Sequence, residues 1–439
     1  MVVFSVYLAL LIRLIWFVNI NSVNVLFWDQ WDFLEPLFKD KINFWEVFAS
    51  QHGPHRQGLG GLLTAVVYPL SGWNVRVDVF ISIGVYAISC LIAMEIKRCL
   101  WGKFSWIDIV IPLAYFSLLQ YETFIGTPNP AHGTVPVFLV TVSAYILTMS
   151  RQVLKVILMA LLVFLTSYTG FALFSGIPII LLLVYFSLKA TTFKIRVVAI
   201  VSLIMACLFF LSFFINYTNA PAADCFEFPH DKPFEYVKFI SIQFGHALGI
   251  DKFPNIRIVF LVNRVFCSII FLGLIAICCY SVYSFISYLS NKSMIIFYLS
   301  SFTLLFTFFT AVGRVCLGFE TALSSRYVPY AIPGILALYF VYLELSNNPK
   351  FKLWQRYLLI SAVILLFVRK EVLSTAEKQS INWYRQGKKA WVECYLKHHD
   401  IEFCNKTANF KVYPENERIV SKLKFLEKKN LNFFKDRDE

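Results

Sequence analysis

The sequence predicts an all-α membrane protein with about eleven transmembrane helices, interfacial helices in its first outer loop and a small polar tail. Three observations carry this. The 439 residues are 58% hydrophobic and only 15% charged, with a mean hydropathy of +0.65. Apolar runs long enough to cross a bilayer recur along almost the whole chain, and backbone in hydrocarbon satisfies its polar groups only as helices or a closed barrel. Those runs are continuous rather than alternating, which selects helices. The net charge of +13 would suggest nucleic acid, but the basic residues sit mostly in short loops between spans. The membrane surface accounts for them, so membrane lipids are expected partners and nucleic acid is not.

The first run, Val2 to Asn19, contains Arg13. No basic leader precedes it and no small-residue cleavage site follows, so an anchored helix is expected rather than a removed signal. Residues 20–76 then form a polar first outer loop, with FWDQWDFLEPLFKDKINFWEVFASQHGPHRQG at its heart. An isolated charge in hydrocarbon costs roughly 2.5 to 3.5 kcal/mol even on lenient scales, so this stretch must face water or line a cavity. Within it Asp32 to Phe38 and Phe44 to Ala49 read as amphipathic interfacial helices, with Trp28, Trp31 and Trp45 at the headgroup level. The apolar piece Leu59 to Leu70 is too short to span and holds Gly60 and Gly61, which makes it interfacial or re-entrant.

Further spans are expected at Val77 to Ile96, Trp106 to Leu119, Val135 to Met149, Leu154 to Tyr168, Ile177 to Leu188, Val197 to Phe214, Val262 to Tyr283, Met294 to Phe309, Val328 to Tyr342 and Tyr357 to Phe367. Charge supplies an independent test, because cytoplasmic loops collect Lys and Arg. Alternate loops hold Lys97, Arg98, Lys103, Arg151, Lys155, Lys189, Lys194, Arg196, Lys292, Lys350, Lys352 and Arg356 almost without acids. The parity puts the N-terminus inside, and the acid- and His-bearing loops outside together with the tail. Residues 1–368 thus form the polytopic module and residues 369–439 an extracytoplasmic tail. In that tail Cys394 and Cys404 stand ten apart and could bond in an oxidising compartment. Cys90, Cys207, Cys278 and Cys279 sit in spans and read as small buried hydrophobes. Asn216 and Asn405 begin N-x-T triplets on the predicted outer side.

Chemistry-bearing residues gather on that outer side. Asp29 and Asp32 are three apart in WDQWD, on neighbouring positions of a helical turn. Such carboxylates suit general-base work, one taking a proton from a hydroxyl while the other orients it; the plainer reading is that one caps the next helix. HGPHR places His52, His55 and Arg56 together, a fork for phosphate beside two proton carriers. A divalent cation on His52, His55 and the aspartates has the right ligand types, without a second cluster of ligand spacing to support it. QYETFIGTPNPAHG puts Gln120, Tyr121, Glu122, Asn129 and His132 just outside a span, a set suited to sugar hydroxyls. In GRVCLGFETALSSRY, Arg314 ends one span and Arg326, next to Tyr327, begins another, so both could clamp a phosphate; ordinary snorkelling at span ends is the alternative. Tyr236 to Gly249, with Lys238, Gln243 and His246, reads as an interfacial lid. No P-loop, G-x-S-x-G, H-E-x-x-H or Rossmann glycine pattern is present.

Taken together, the acidic WDQWDF loop, the HGPHR element, QYETFIG and GRVCLGFETALSSRY resemble the bacterial branch of the glycosyltransferase type C (GT-C) superfamily. These are polytopic enzymes that use polyprenyl-phosphate-linked sugars. The resemblance extends over the whole chain, including the aromatic pair Phe433 and Phe434 near its end; relatives more often carry HNEHR where this chain has HGPHR, so an acid is missing there. The resemblance implies an outer-face cavity in a bacterial inner membrane, a polyprenyl-phosphate sugar donor and a cell-envelope glycan or lipid acceptor. It also implies a base in the first loop, Asp29 first and Asp32 second, with Glu122 near a sugar and Arg314, Arg326 and Tyr327 near the lipid phosphate. Gln120, Tyr121, His52 and His55 are then expected at the substrate, and Arg56 beside the phosphate. The rival readings are a lipid-linked glycan ligase or polymerase, and a lipid or glycan transporter; against the transporter, polar residues gather on one face and no repeat is evident.

Overall fold

The computed structural model describes residues 2–219, 225–249, 257–288, 290–346, 361 and 371–437. Helices dominate, and among the described residues seven are long and apolar enough to cross a membrane: Val2–Asn21, Val75–Trp101, Gly170–Lys189, Phe193–Ser212, Val265–Ser287, Asn291–Leu317 and Ser325–Ser346. The protein is therefore an all-α membrane protein. Thr134–Ile146 and Gln152–Ser167 are shorter apolar helices at two further expected spans. The expected span Tyr357 to Phe367 lies outside the described residues, apart from the helical position 361.

Trp106 to Leu119 is not one helix. A 3-10 turn (Trp106–Ile109), a short α-helix (Val110–Tyr115) and a second 3-10 turn (Leu118–Gln120) replace it. The break falls at Ser117, which is extended and accepts the Leu119 N–H with its own Oγ. A serine that offers the backbone this local partner competes with helix continuation. The apolar helix Gly58–Ser71 does not reach across: fourteen residues rise about 21 Å, short of a hydrocarbon core of about 30 Å. It packs so closely on the Asn129–Gly133 turn that a Cβ at Gly60 would stand 2.3 Å from the Ala131 nitrogen.

Two basic side chains within the bundle, Arg13 and Lys97, are paired with carboxylates, which offsets their desolvation. Arg13, midway along the first helix, bonds Glu371 and the Phe116 carbonyl. On the side of the basic loops, buried Lys97 meets buried Asp108 at 2.9 Å, and Tyr339 donates to the same carboxylate. This network ties three apolar segments together.

The polar loop after the first helix does not stand alone. Val25, Phe27, Trp31, Leu34 and Leu37 share one core with Trp391, Tyr395, Phe410, Ile419, Leu423, Phe433 and Phe434 of the tail. The expected piece Asp32 to Phe38 divides into a helical turn, Gln30–Phe33, and a 3-10 turn, Glu35–Leu37, whereas Phe44–Ala49 is a helix as expected. Trp28 and Trp45 are exposed, but Trp31, expected at the headgroups, is fully buried in that shared core. Cys394 and Cys404 are bonded. A second disulfide, Cys225–Cys316, staples the long loop after Phe193–Ser212 to the segment after Arg314. Cys279, expected to be buried, is exposed on its helix.

Candidate functional site

The site is built on a hairpin of two short strands, Gln51–His52 and His55–Arg56, turned by Gly53 and Pro54. Gly53 has φ +57°, a backbone region that costs an L side chain about 1 kcal/mol or more. His52 pairs directly with His55 across the strands. Directly opposed residues project to the same face, which is how two histidines three apart come side by side. His132 arrives from the Asn129–Gly133 turn, with its Nε2 against the His55 Nε2 and ring centroids 4.1 Å apart. That turn is held by Asn129, which donates to Gln57 at 3.1 Å and accepts from the Ala131 N–H at 2.9 Å.

Asp29 approaches the same group from the other side. Its carboxylate lies 3.9 Å from His52 Nε2 and is 38% exposed, so it is both partnered and open to solvent. It sits at the N-cap position of Gln30–Phe33 without making a cap hydrogen bond, which leaves both oxygens available. The neighbouring His52, with the charge of Arg326 beyond it, holds Asp29 below the usual carboxylate range despite partial burial. Burial pulls His55 down to about 3 and His132 well below its ordinary value, with the neighbouring histidines adding to the effect. Two neutral imidazoles meet through Nε2 only if one donates and the other accepts, so the pair is neutral near pH 7.

That pair makes the protein acid-sensitive. His55 binds a proton below pH 6.5 when unfolded and only near pH 3 when folded, so the unfolded state holds more protons between those values. Stability then rises with pH through this window, by up to about 1.4 kcal/mol per pH unit for one proton. Asp29, with its lowered value, contributes stability that is lost only below the usual carboxylate range. The melting temperature of the solubilised protein should fall on acidification from about pH 7 to pH 5. His55→Asn should flatten that fall; an unchanged slope would remove the pair from the account.

The other expected site residues divide by what surrounds them. Asp32 accepts from Tyr413 at 3.0 Å and from Arg418 at 3.0 Å, clamping the first loop to the tail. Arg56, expected at a phosphate, is buried, and its guanidinium donates to the carbonyls of Ala49, Phe213 and Ile215. Its place is at the end of the helix Phe193–Ser212, where the last carbonyls of a helix need donors. Gln120 is fully buried and donates to the Tyr115 carbonyl, and Tyr121 is buried beside it. Neither stands open to a sugar.

Glu122 opens a π-helical turn, Glu122–Gly126, a rare geometry that recurs at functional sites. Its carboxylate accepts from Ser324 Oγ at 3.0 Å, from the Arg326 N–H at 3.1 Å and from Tyr384 Oη at 3.4 Å. It therefore positions the SSRY segment. The Arg326 side chain is exposed at the start of its span, with its guanidinium over the Tyr327 ring. Its charge reaches Asp29, Glu122 and His132. Tyr327 is buried; Arg314 is exposed at the end of Asn291–Arg314 and joins none of these contacts.

Four tail residues that the sequence does not single out, Lys388, Arg418, Ser421 and Lys422, complete the site. Lys388 donates to the carbonyls of Ile125 and Gly126, 2.9 and 2.7 Å away, closing the π-turn that carries Glu122. Burial pulls this lysine down to about 7. The amphipathic spacing of Lys388 with Trp391 and Tyr395 was the available signal, and it points to a packed face rather than to its partner. Between the first loop and the tail opens a cleft of about 750 Å³. Asp32, Glu35, Gln51, His52 and Gly53 line one wall, and Arg418, Ser421 and Lys422 the other. The expected lid is the helix Phe234–Ala247, with Lys238 Nζ 3.7 Å over the Phe319 ring beside the stapled segment.

Among the described residues no three His, Cys, Asp or Glu side chains are grouped to hold a metal ion. No family model, curated protein or solved structure matches the chain.

Proposed function

We propose that this chain is a membrane glycosyltransferase of GT-C type that moves a sugar from a polyprenyl-phosphate donor to a cell-envelope glycan or lipid acceptor. The observation that carries the reading is the meeting of an ionised and accessible Asp29 with the adjacent His52, which lines the polar cleft, within reach of the charge of Arg326. Asp29 takes the proton of the acceptor hydroxyl, and the oxygen attacks the anomeric carbon. The bond from that carbon to phosphate breaks, and Arg326 meets the charge developing on the departing polyprenyl phosphate. Glu122 positions Arg326 through its main chain. Arg314 is assigned a more distant attraction for the anionic donor, and Arg56 a structural place.

The reading includes about eleven spans in a bacterial inner membrane, with the N-terminus cytoplasmic and the tail outside. Two observations support this side for the site. Both disulfides join segments that the charge pattern assigns to the outer face, and disulfides persist in oxidising compartments. Arg13, the lone basic residue inside the first span, is neutralised by Glu371 rather than left in lipid.

The purified protein, offered a panel of radiolabelled polyprenyl-phosphate monosaccharides with and without divalent cation, should release or transfer label from at least one. Failure with every monosaccharide donor, together with transfer from a lipid-diphosphate glycan, would replace this reading by the ligase. Failure with both would end the enzyme reading.

A further inference from the structure

The cleft between the first outer loop and the tail is unlike an ordinary interdomain gap in its lining. None of its eight lining residues is apolar. Its charges are matched one to one across it: Arg418 bonds Asp32 at 3.0 Å, and Lys422 pairs with Glu35. A phosphate, carboxylate or ammonium ligand would have to break one of these pairs to gain a counter-ion. A lipid tail would find little apolar surface to share. A neutral ligand with many hydroxyls, in contrast, can use the remaining donors and acceptors of each ion pair, and of Gln51 and Ser421, without separating any charge.

Shape and position agree with this chemistry. The volume of about 750 Å³ falls within the roughly 300 to 1,000 Å³ typical of small-molecule sites. Arg418, Ser421 and Lys422 share one face of the helix Glu417–Lys428, so that wall is rigid. A Cβ added at Gly53 would meet no atom within 4 Å, so the hairpin tip leaves open space at that end. His52 belongs both to the cleft wall and to the contact with Asp29, so a hydroxyl bound at that end lies next to the proposed base.

We infer that this cleft is the acceptor site and that the acceptor is an uncharged oligosaccharide, held between the first outer loop and the tail with its terminal hydroxyl at His52. Naming the bound glycan as acceptor rests on the transferase reading; the binding of a neutral glycan there does not. The tail is then one wall of the substrate site.

The test is saturation-transfer NMR on the full-length, detergent-solubilised protein, with neutral tri- to pentasaccharides of α- and β-linked hexoses and the same chains ending in a uronic acid. Neutral chains should bind, and their uronate counterparts should bind more weakly. Ser421→Trp, at an exposed helix position, should weaken neutral binding about tenfold or more, which corresponds to about 1.4 kcal/mol, while Ser421→Ala, which removes one hydroxyl without filling the cleft, should weaken it less. Binding of no neutral chain, equal or tighter binding of the uronates, or indifference to Ser421→Trp would each overturn the assignment. Neutral binding that persists in a protein inactive toward every polyprenyl donor would sink the transferase reading and leave the glycan site standing.

Discussion

Asp29→Asn is expected to lower sugar transfer by about two to four orders of magnitude, the usual weight of a positioned general base, while the protein stays folded. The amide keeps the size of the carboxylate and its place beside His52, but it cannot accept the acceptor proton. The partial exposure of Asp29 makes the fold tolerant of the exchange, because no buried charge is left unpaired. The donor KM should change little, since Asp29 acts on the acceptor. Single-turnover transfer, read beside the melting temperature, separates lost chemistry from lost structure. Near-normal turnover would remove Asp29 from the base role. Asp32 could not simply inherit that role, because Tyr413 and Arg418 already occupy its carboxylate.

Two arginines should give opposite results. Arg326→Met is expected to lower kcat by about two to three orders of magnitude, the weight of one preorganised group that stabilises a developing charge. Arg326 is an exposed residue, so stability should change little. Arg56→Met should do the reverse. It strips donors from three main-chain carbonyls in a buried place, at about 1 to 3 kcal/mol for each polar group left unsatisfied. The melting temperature should drop sharply, while turnover per folded molecule holds. If instead Arg56→Met stays stable and loses turnover, the phosphate contact belongs to the HGPHR element and not to SSRY.

What the sequence by itself determined is the solvent of the protein and the gathering of its ionisable groups in a few short elements. Hydrocarbon imposes a local rule, since any run of the right length and apolarity must be helical there, whatever it later packs against. Val75–Trp101 and Asn291–Arg314 could therefore be placed from composition alone. The rule is silent on short segments, and Trp106 to Leu119 shows why: a single serine side chain, in a run of correct length, redirects the backbone. The polar elements WDQWD, HGPHR, QYE and SSRY were legible for a similar reason, because ionisable residues are conspicuous in so apolar a chain.

Only the tertiary structure decided which of those polar residues is available for chemistry. Availability depends on partners, and the partners are remote in sequence: Tyr413 for Asp32 lies 381 positions away, Phe213 for Arg56 157 and Ser324 for Glu122 202. No local spacing encodes such pairings, so the sequence does not show which partners take up Asp32, Arg56 and Glu122. The same holds for the Cys225–Cys316 staple, 91 residues apart, and for the tail, whose polar composition read as an appendix. Burial of Trp391, Tyr395 and Phe433 against Phe27 and Trp31 turns that appendix into a wall of the site, because apolar surface on two polar segments is removed from water only when they meet.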